Sequence, residues 1–248
     1  MKKVIAMLLA LTMVLGISGA FAATLSIDTS ALTSGQTPVI TVTKQTTQED
    51  GTVTEETVEY TGLAVSADEE IEDEVTAAIA EIAADETKTV LDIYKKEETK
   101  AAVADAMAAD IKAANPEMTD AEVKAATEAK KANMTVTAAV KVVSSQMLEI
   151  LEAVNEGKPE EEKVTAVTVT VDVAVTYNPE EKVYPVLLIP TGTYDENGKE
   201  IFEEIVLTGV VDANGKVKIT YPVEVLEKMK DKDCKLHIIS EKDAVPAA

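Results

Sequence analysis

Apolar and polar positions change period several times along this chain, and each change marks a predicted element. From Pro38 the run Val39-Ile40-Thr41-Val42-Thr43 alternates, which is the strand period. Glu49-Asp50-Gly51-Thr52 is a turn signal, and Val53 to Val65 reads as the returning strand of an N-terminal hairpin. At Ser66 the period becomes helical. Ser66 and Glu69 fit a capping box, and Ile71, Val75, Ile79 and Ile82 form one apolar face. A second helical stretch is predicted from Thr87 to Ala114, ended by Pro116, which disfavours helical geometry in Asn115. Thr119 and Glu122 form another capping box, opening a weaker, alanine-lined helix to about Ala132.

Met134, Val136, Ala138, Val140 and Val142 alternate again and predict a strand, whereas Met147, Ile150, Leu151 and Val154 return to helical spacing before Gly157. Lys158 to Lys163 has no apolar anchor and reads as a solvated linker. Beyond it, Val167, Val169, Val171, Val173, Val175 and Tyr177 line one face of a long strand. Val186 to Ile189 is apolar without a break, as in a strand covered on both faces. Asn197-Gly198 and Asn214-Gly215 are hairpin turn pairs, Pro222 opens a short helix, and Leu236 to Ile239 closes as a strand. The fold class that follows is α+β: an N-terminal β-hairpin, a helical middle region, and a C-terminal small β-sandwich, immunoglobulin-like in general shape. The expected division is 1–22, 23–157 and 164–243. Alternatively the hairpin completes the C-terminal sheet, and the two halves then do not survive apart.

The first segment is read differently. Lys2 and Lys3 precede an apolar run from Val4 to Leu15, and Ala20-Phe21-Ala22 offers small residues where a signal peptidase reads. Residues 1–22 are therefore expected to be a cleavable secretory signal peptide, cut after Ala22, or after Ala23 as second choice. The run is shorter than the roughly 20 apolar residues of a spanning helix, and no second such run occurs. A secreted or cell-surface location follows, with a bacterial source suggested by the short n-region.

Charge narrows the partners. All 23 basic residues are lysines, and without Lys2 and Lys3 the remaining 21 face 45 acidic residues, a net of −24. Such a field repels phosphate backbones, so nucleic acid is not an expected partner; a protein or cell-surface partner is. One cysteine, Cys234, cannot form an internal disulfide in an oxidising compartment and is expected in a buried strand.

Candidate chemistry is sparse. Asp195-Glu196-Asn197-Gly198-Lys199 and Asp212-Ala213-Asn214-Gly215-Lys216 repeat one pattern, making Asp195, Asn197, Asp212 and Asn214 weak candidates for calcium. Neither loop has the ligand spacing of an EF-hand, and turn chemistry explains both. No other cofactor is expected. Leu188-Ile189-Pro190-Thr191-Gly192 lacks the spacer and the hydrophobic tail of a cell-wall sorting signal. His237 is the sole histidine and lies between Leu236 and Ile238 on a strand, so strand alternation turns it opposite those two. No G-x-S-x-G elbow presents a serine. Tyr177, Tyr184, Tyr194 and Tyr221 lie in the β region, mostly as core or strand-edge residues. As a patch they are the expected binding surface. The reading is a non-catalytic exported protein that binds or assembles through its β module. Its rival is an extracellular hydrolase using paired carboxylates, and a calcium-dependent surface-layer component is a third class.

Overall fold

The computed structural model describes residues 63–242 apart from 86, 145, 161, 162, 172 and 174, together with the backbone of 9–10, 23–28, 39–47, 53–61 and 245–246. The expected signal peptide lies outside the described residues except for Leu9–Ala10. In chain order the elements begin with β1 (Leu9–Ala10), β2 (Ala23–Asp28), β3 (Val39–Thr47), β4 (Val53–Thr61) and β5 (Leu63–Ala67). Then come α1 (Glu69–Ala83), a 3-10 turn (Val90–Ile93), α2 (Glu97–Ala114), α3 (Asp120–Asn133), β6 (Met134–Ser144) and α4 (Met147–Asn155). The remainder is β7 (Val164–Val171), β8 (Val175–Thr176), β9 (Tyr184–Tyr194), β10 (Glu200–Val206), β11 (Thr208–Val211), β12 (Val217–Pro222), α5 (Val223–Met229), β13 (Asp233–Glu241) and β14 (Val245–Pro246). The class is α+β.

An antiparallel five-stranded sheet in the order β10-β9-β13-β6-β5 forms the middle layer. One face meets the sheet β11-β12-β7-β2 and helices α4 and α5; the other is covered by α1, the 3-10 turn and α2. Strand alternation sorts the side chains. Leu187, Ile189, Leu236, Ile238, Val140 and Val142 join β7 and β12 residues in one core, while Val186, Leu188, Ile239, Val136 and Met134 join the helices in another. This is why Val186 to Ile189 is apolar at every position: the strand is buried on both sides.

Both sheets take strands from either side of residues 158–163. β6 pairs with β13, and β2 lies parallel to β7. β3 and β4 pair antiparallel from Val39↔Thr61 to Thr47↔Val53, and Leu9–Ala10 runs parallel to Ile40–Thr41. A bulge falls where Ile238 faces Ala138 and Ile239 faces Val136, leaving Thr137 over. The extra residue is anchored: its Oγ1 donates to the Ile238 carbonyl (3.2 Å), lies 3.0 Å from Tyr177 Oη, and accepts from Ser240 Oγ (3.1 Å).

Three local expectations are corrected. α1 is capped by Asp68, whose carboxylate accepts from the Glu70 and Ile71 N–H groups, so Ser66 stays in β5. The stretch from Thr87 is not one helix: Asp92 accepts from the Thr89 N–H and closes a 3-10 turn, Tyr94 is extended, and α2 begins at Glu97. No cap is encoded beside α2; Glu204 of β10 reaches over to accept from the Lys95 and Lys96 N–H groups (3.0 and 3.3 Å). Finally, the Asn-Gly turns are not two-residue turns. Only Gly198 and Gly215 have positive φ, and each ends a three-residue loop whose aspartate holds the chain in a type I turn.

Candidate functional site

The two aspartates of the repeated pattern act on their own backbones. Asp195 Oδ1 accepts from the Asn197 and Lys199 N–H groups, both at 2.9 Å, and Asp212 Oδ1 accepts from those of Asn214 (2.8 Å) and Lys216 (3.0 Å). These donors, Lys199 and Lys216 foremost, hold both carboxyls below the usual carboxylate range. The loops sit on different sheets, so Asp195 and Asn197 are not brought together with Asp212 and Asn214. Among the described residues no three His, Cys, Asp or Glu side chains converge as a metal site does.

The four tyrosines do not make one surface, which corrects the binding patch expected of them. Tyr177, Tyr184 and Tyr221 are buried, because each lies on an inward-facing position of a covered strand or its margin. Burial pushes the Tyr177 hydroxyl up to about 12 and raises those of Tyr184 and Tyr221 as well. Only Tyr194 is exposed (65 %), at the far end of β9.

His237 faces the helical layer, opposite Leu236 and Ile238, with Nδ1 3.5 Å from Tyr94 Oη. Burial, with Lys235 adding, pulls its pKa down to about 4, so the ring is neutral at neutral pH. Cys234 points into the core between the two sheets, and burial pushes its thiol up to about 12. A thiol in that state is a poor nucleophile.

One concavity was not legible in the sequence, because it joins segments about 70 to 110 positions apart. It is a groove of about 840 Å³ with Ala102, Ala106 and Ala109 of α2 on one wall and residues 206–211 on the other. Its polar end is a clamp on Tyr184. The hydroxyl donates to Asp110 Oδ2 (3.0 Å), Lys182 Nζ lies 3.4 Å from Asp110 Oδ1, and Lys130 Nζ stands 5.7 Å from the ring centre. Gly209 belongs to this wall because a Cβ there would meet Pro185 Cγ at 2.6 Å. The alanines keep the groove open. Its chemistry is an apolar trough with a neutralised acid at one end.

A second groove, of about 800 Å³, runs between α4 and α5 and is rimmed by Glu149, Glu152, Glu156 and Glu227, with Lys163 among them. Compared with known proteins, the chain matches no family model, no curated protein and no solved structure.

Proposed function

We propose that this is an exported, non-catalytic protein, secreted or held at a bacterial cell surface, that binds or assembles through its β module. In this reading residues 1–22 are removed, the hairpin at 39–61 and the helical middle region precede a small β-sandwich of immunoglobulin-like shape, and the partner is a protein or a cell surface rather than nucleic acid. One observation carries it. Among the described residues the large apolar side chains left exposed are Tyr194, Ile201 and Val210, at 65 %, 37 % and 54 %, and all three lie between 164 and 243. That the exposed large apolar side chains fall within this stretch of a highly charged chain supports a contact role for it.

The test uses mature protein purified from culture supernatant, its N-terminus determined, with labelled material titrated onto envelopes of the producing cells. Ala23 is the expected first residue. The triple variant Tyr194→Ser, Ile201→Ser, Val210→Ser should weaken the association about tenfold or more, ~1.4 kcal/mol. Unchanged association would overturn the assignment.

The hydrolase reading is kept because Asp110, Glu180 and Glu181 share the 840 Å³ groove. Against it, both carboxylate oxygens of Asp110 are already engaged, Oδ2 by the Tyr184 hydroxyl and Oδ1 by Lys182 Nζ. Turnover of pooled glycosidase, esterase or peptidase substrates, lost in Asp110→Asn, would replace the binding reading. No cofactor belongs to the proposal. A saturable calcium signal in calorimetry, abolished by Asp212→Ala, would move it to the calcium-dependent class.

A further inference from the structure

We infer that removal of residues 1–22 uncovers an edge of β3 at which two mature chains pair antiparallel, extending the β3–β4 sheet across a two-fold axis. The inference rests on the export reading above. β3 is nine residues long, and β4 pairs with all of one side. On its other side, among the described residues, only Leu9–Ala10 pairs, against Ile40 and Thr41. Those two residues belong to the segment that export removes.

Free strand edges template pairing with other chains unless they are short, bulged or charged. The other described edges carry such protection: β2 has six residues, shifts register between Ala23 and Thr24 and ends in Asp28, and β8 and β14 have two residues each. β10 bears Glu200, Glu203 and Glu204 and shifts register between Glu200 and Phe202; β4 bears Glu55, Glu56 and Glu59; β11 has four residues and β5 has five. β3 has none of it. Seven of its nine residues are Val, Ile or Thr, its sole charge is Lys44, and its register with β4 runs without a shift.

The occupant is a second copy for two reasons. An antiparallel pair of identical strands is self-complementary, so each chain supplies what the other lacks, and the contact closes at two. Charge also selects this edge. Copies bearing a net −24 repel one another, and β3 lets them meet along a strand without acidic residues. The dimer must therefore tighten as salt screens the remaining repulsion, which a neutral peptide on the same edge would not do.

Mature protein is taken from supernatant, its first residue read by mass spectrometry, and its sedimentation followed against concentration at low and high salt. Thr41→Pro and Val42→Pro are made separately. Successive N–H groups on a strand point to opposite edges, so one proline removes a bond to β4 and the other an outward donor. The expected result is a dimer that tightens with salt. One proline variant should keep the wild-type urea midpoint and lose dimer affinity about tenfold or more. The other should lose stability. A chain beginning at Ala23 that stays monomeric overturns the inference alone. A dimer indifferent to both prolines overturns the edge assignment. Secreted protein that retains Met1 overturns the export reading, and the pairing falls with it because Leu9–Ala10 still occupies the edge at Ile40 and Thr41.

Discussion

On the face of β9 that carries Leu187 and Ile189, the sheet is closed by valines, isoleucines and leucines of a second sheet and two short helices. On the face that carries Val186 and Leu188, the cover is α1 and α2, of which α2 buries only Thr99, Val103 and Met107. The first face is sealed by apolar area. The second has less to bury and relies on polar fasteners between layers: Tyr94 with His237, Glu204 at the start of α2, and Tyr184 with Asp110. Alanine-rich helices approach a sheet closely but bury little per residue, so hydrogen bonds position what packing cannot.

Adjacent leucines give the sharpest test of this contrast. Leu187→Ala should cost about 4 kcal/mol and Leu188→Ala about 2 kcal/mol in urea unfolding, since only the first leaves a fully enclosed cavity. Equal losses would show the helical layer to be packed as tightly as the core between the sheets.

The two matching turns sharpen the same point, because one packs its glycine against Tyr177 and the other leaves its glycine open. A Cβ on Gly215 would meet the Tyr177 carbonyl oxygen at 2.4 Å, whereas one on Gly198 meets nothing within 4 Å. Both have positive φ, +74° and +75°. Gly198→Ala should cost about 1 kcal/mol for backbone strain alone, and Gly215→Ala about 3 kcal/mol. Thermal unfolding of the pair reads the difference, and similar losses would separate the turn from the core.

Acid should strike the helical face first. His237 titrates near 6.5 when unfolded and about 4 when folded, so the unfolded chain binds the extra proton between those values. Stability is unaffected by this group above pH 6.5 and falls as pH drops toward 4. From pH 7 to pH 5 the loss is about 2 kcal/mol. His237→Leu should flatten that part of the stability curve, and an unchanged slope would remove the histidine as its cause.

The smallest effect belongs to the fastener itself. Tyr184→Phe removes one hydrogen bond and should cost about 1 kcal/mol. Hydrogen exchange should quicken in α2 while β7 and β12 are unchanged; uniform quickening would mean the two layers open as one unit.

What the sequence disclosed was local. The period of Met134 to Val142 identified a strand, Thr119 with Glu122 placed the start of α3, and unbroken apolarity at Val186 to Ile189 marked a strand buried on two sides. Each of those signals is written within a few residues. The Glu204 cap, the bulge at Thr137 and the groove between α2 and β11 depend on partners about 70 to 110 positions away, which no spacing rule reaches. The tyrosines divide the same way: strand positions imply core or edge places for most of them, and Tyr177, Tyr184 and Tyr221 are buried, but whether they share a surface depends on pairing, which leaves Tyr194 exposed by itself among the four.

β13 occupies the middle of the five-stranded sheet, between β9 and β6, yet residues 233–241 are synthesised after every other strand of that sheet. Until they emerge, β5–β6 and β9–β10 are two separate strand pairs, each marginal in water. Assembly must then close loops of nearly a hundred residues, a slow topology. Until residue 241 has been added, a nascent chain of this design cannot complete its five-stranded sheet. A stop codon shortly before Asp233 would therefore remove the keystone of the sheet and not its margin.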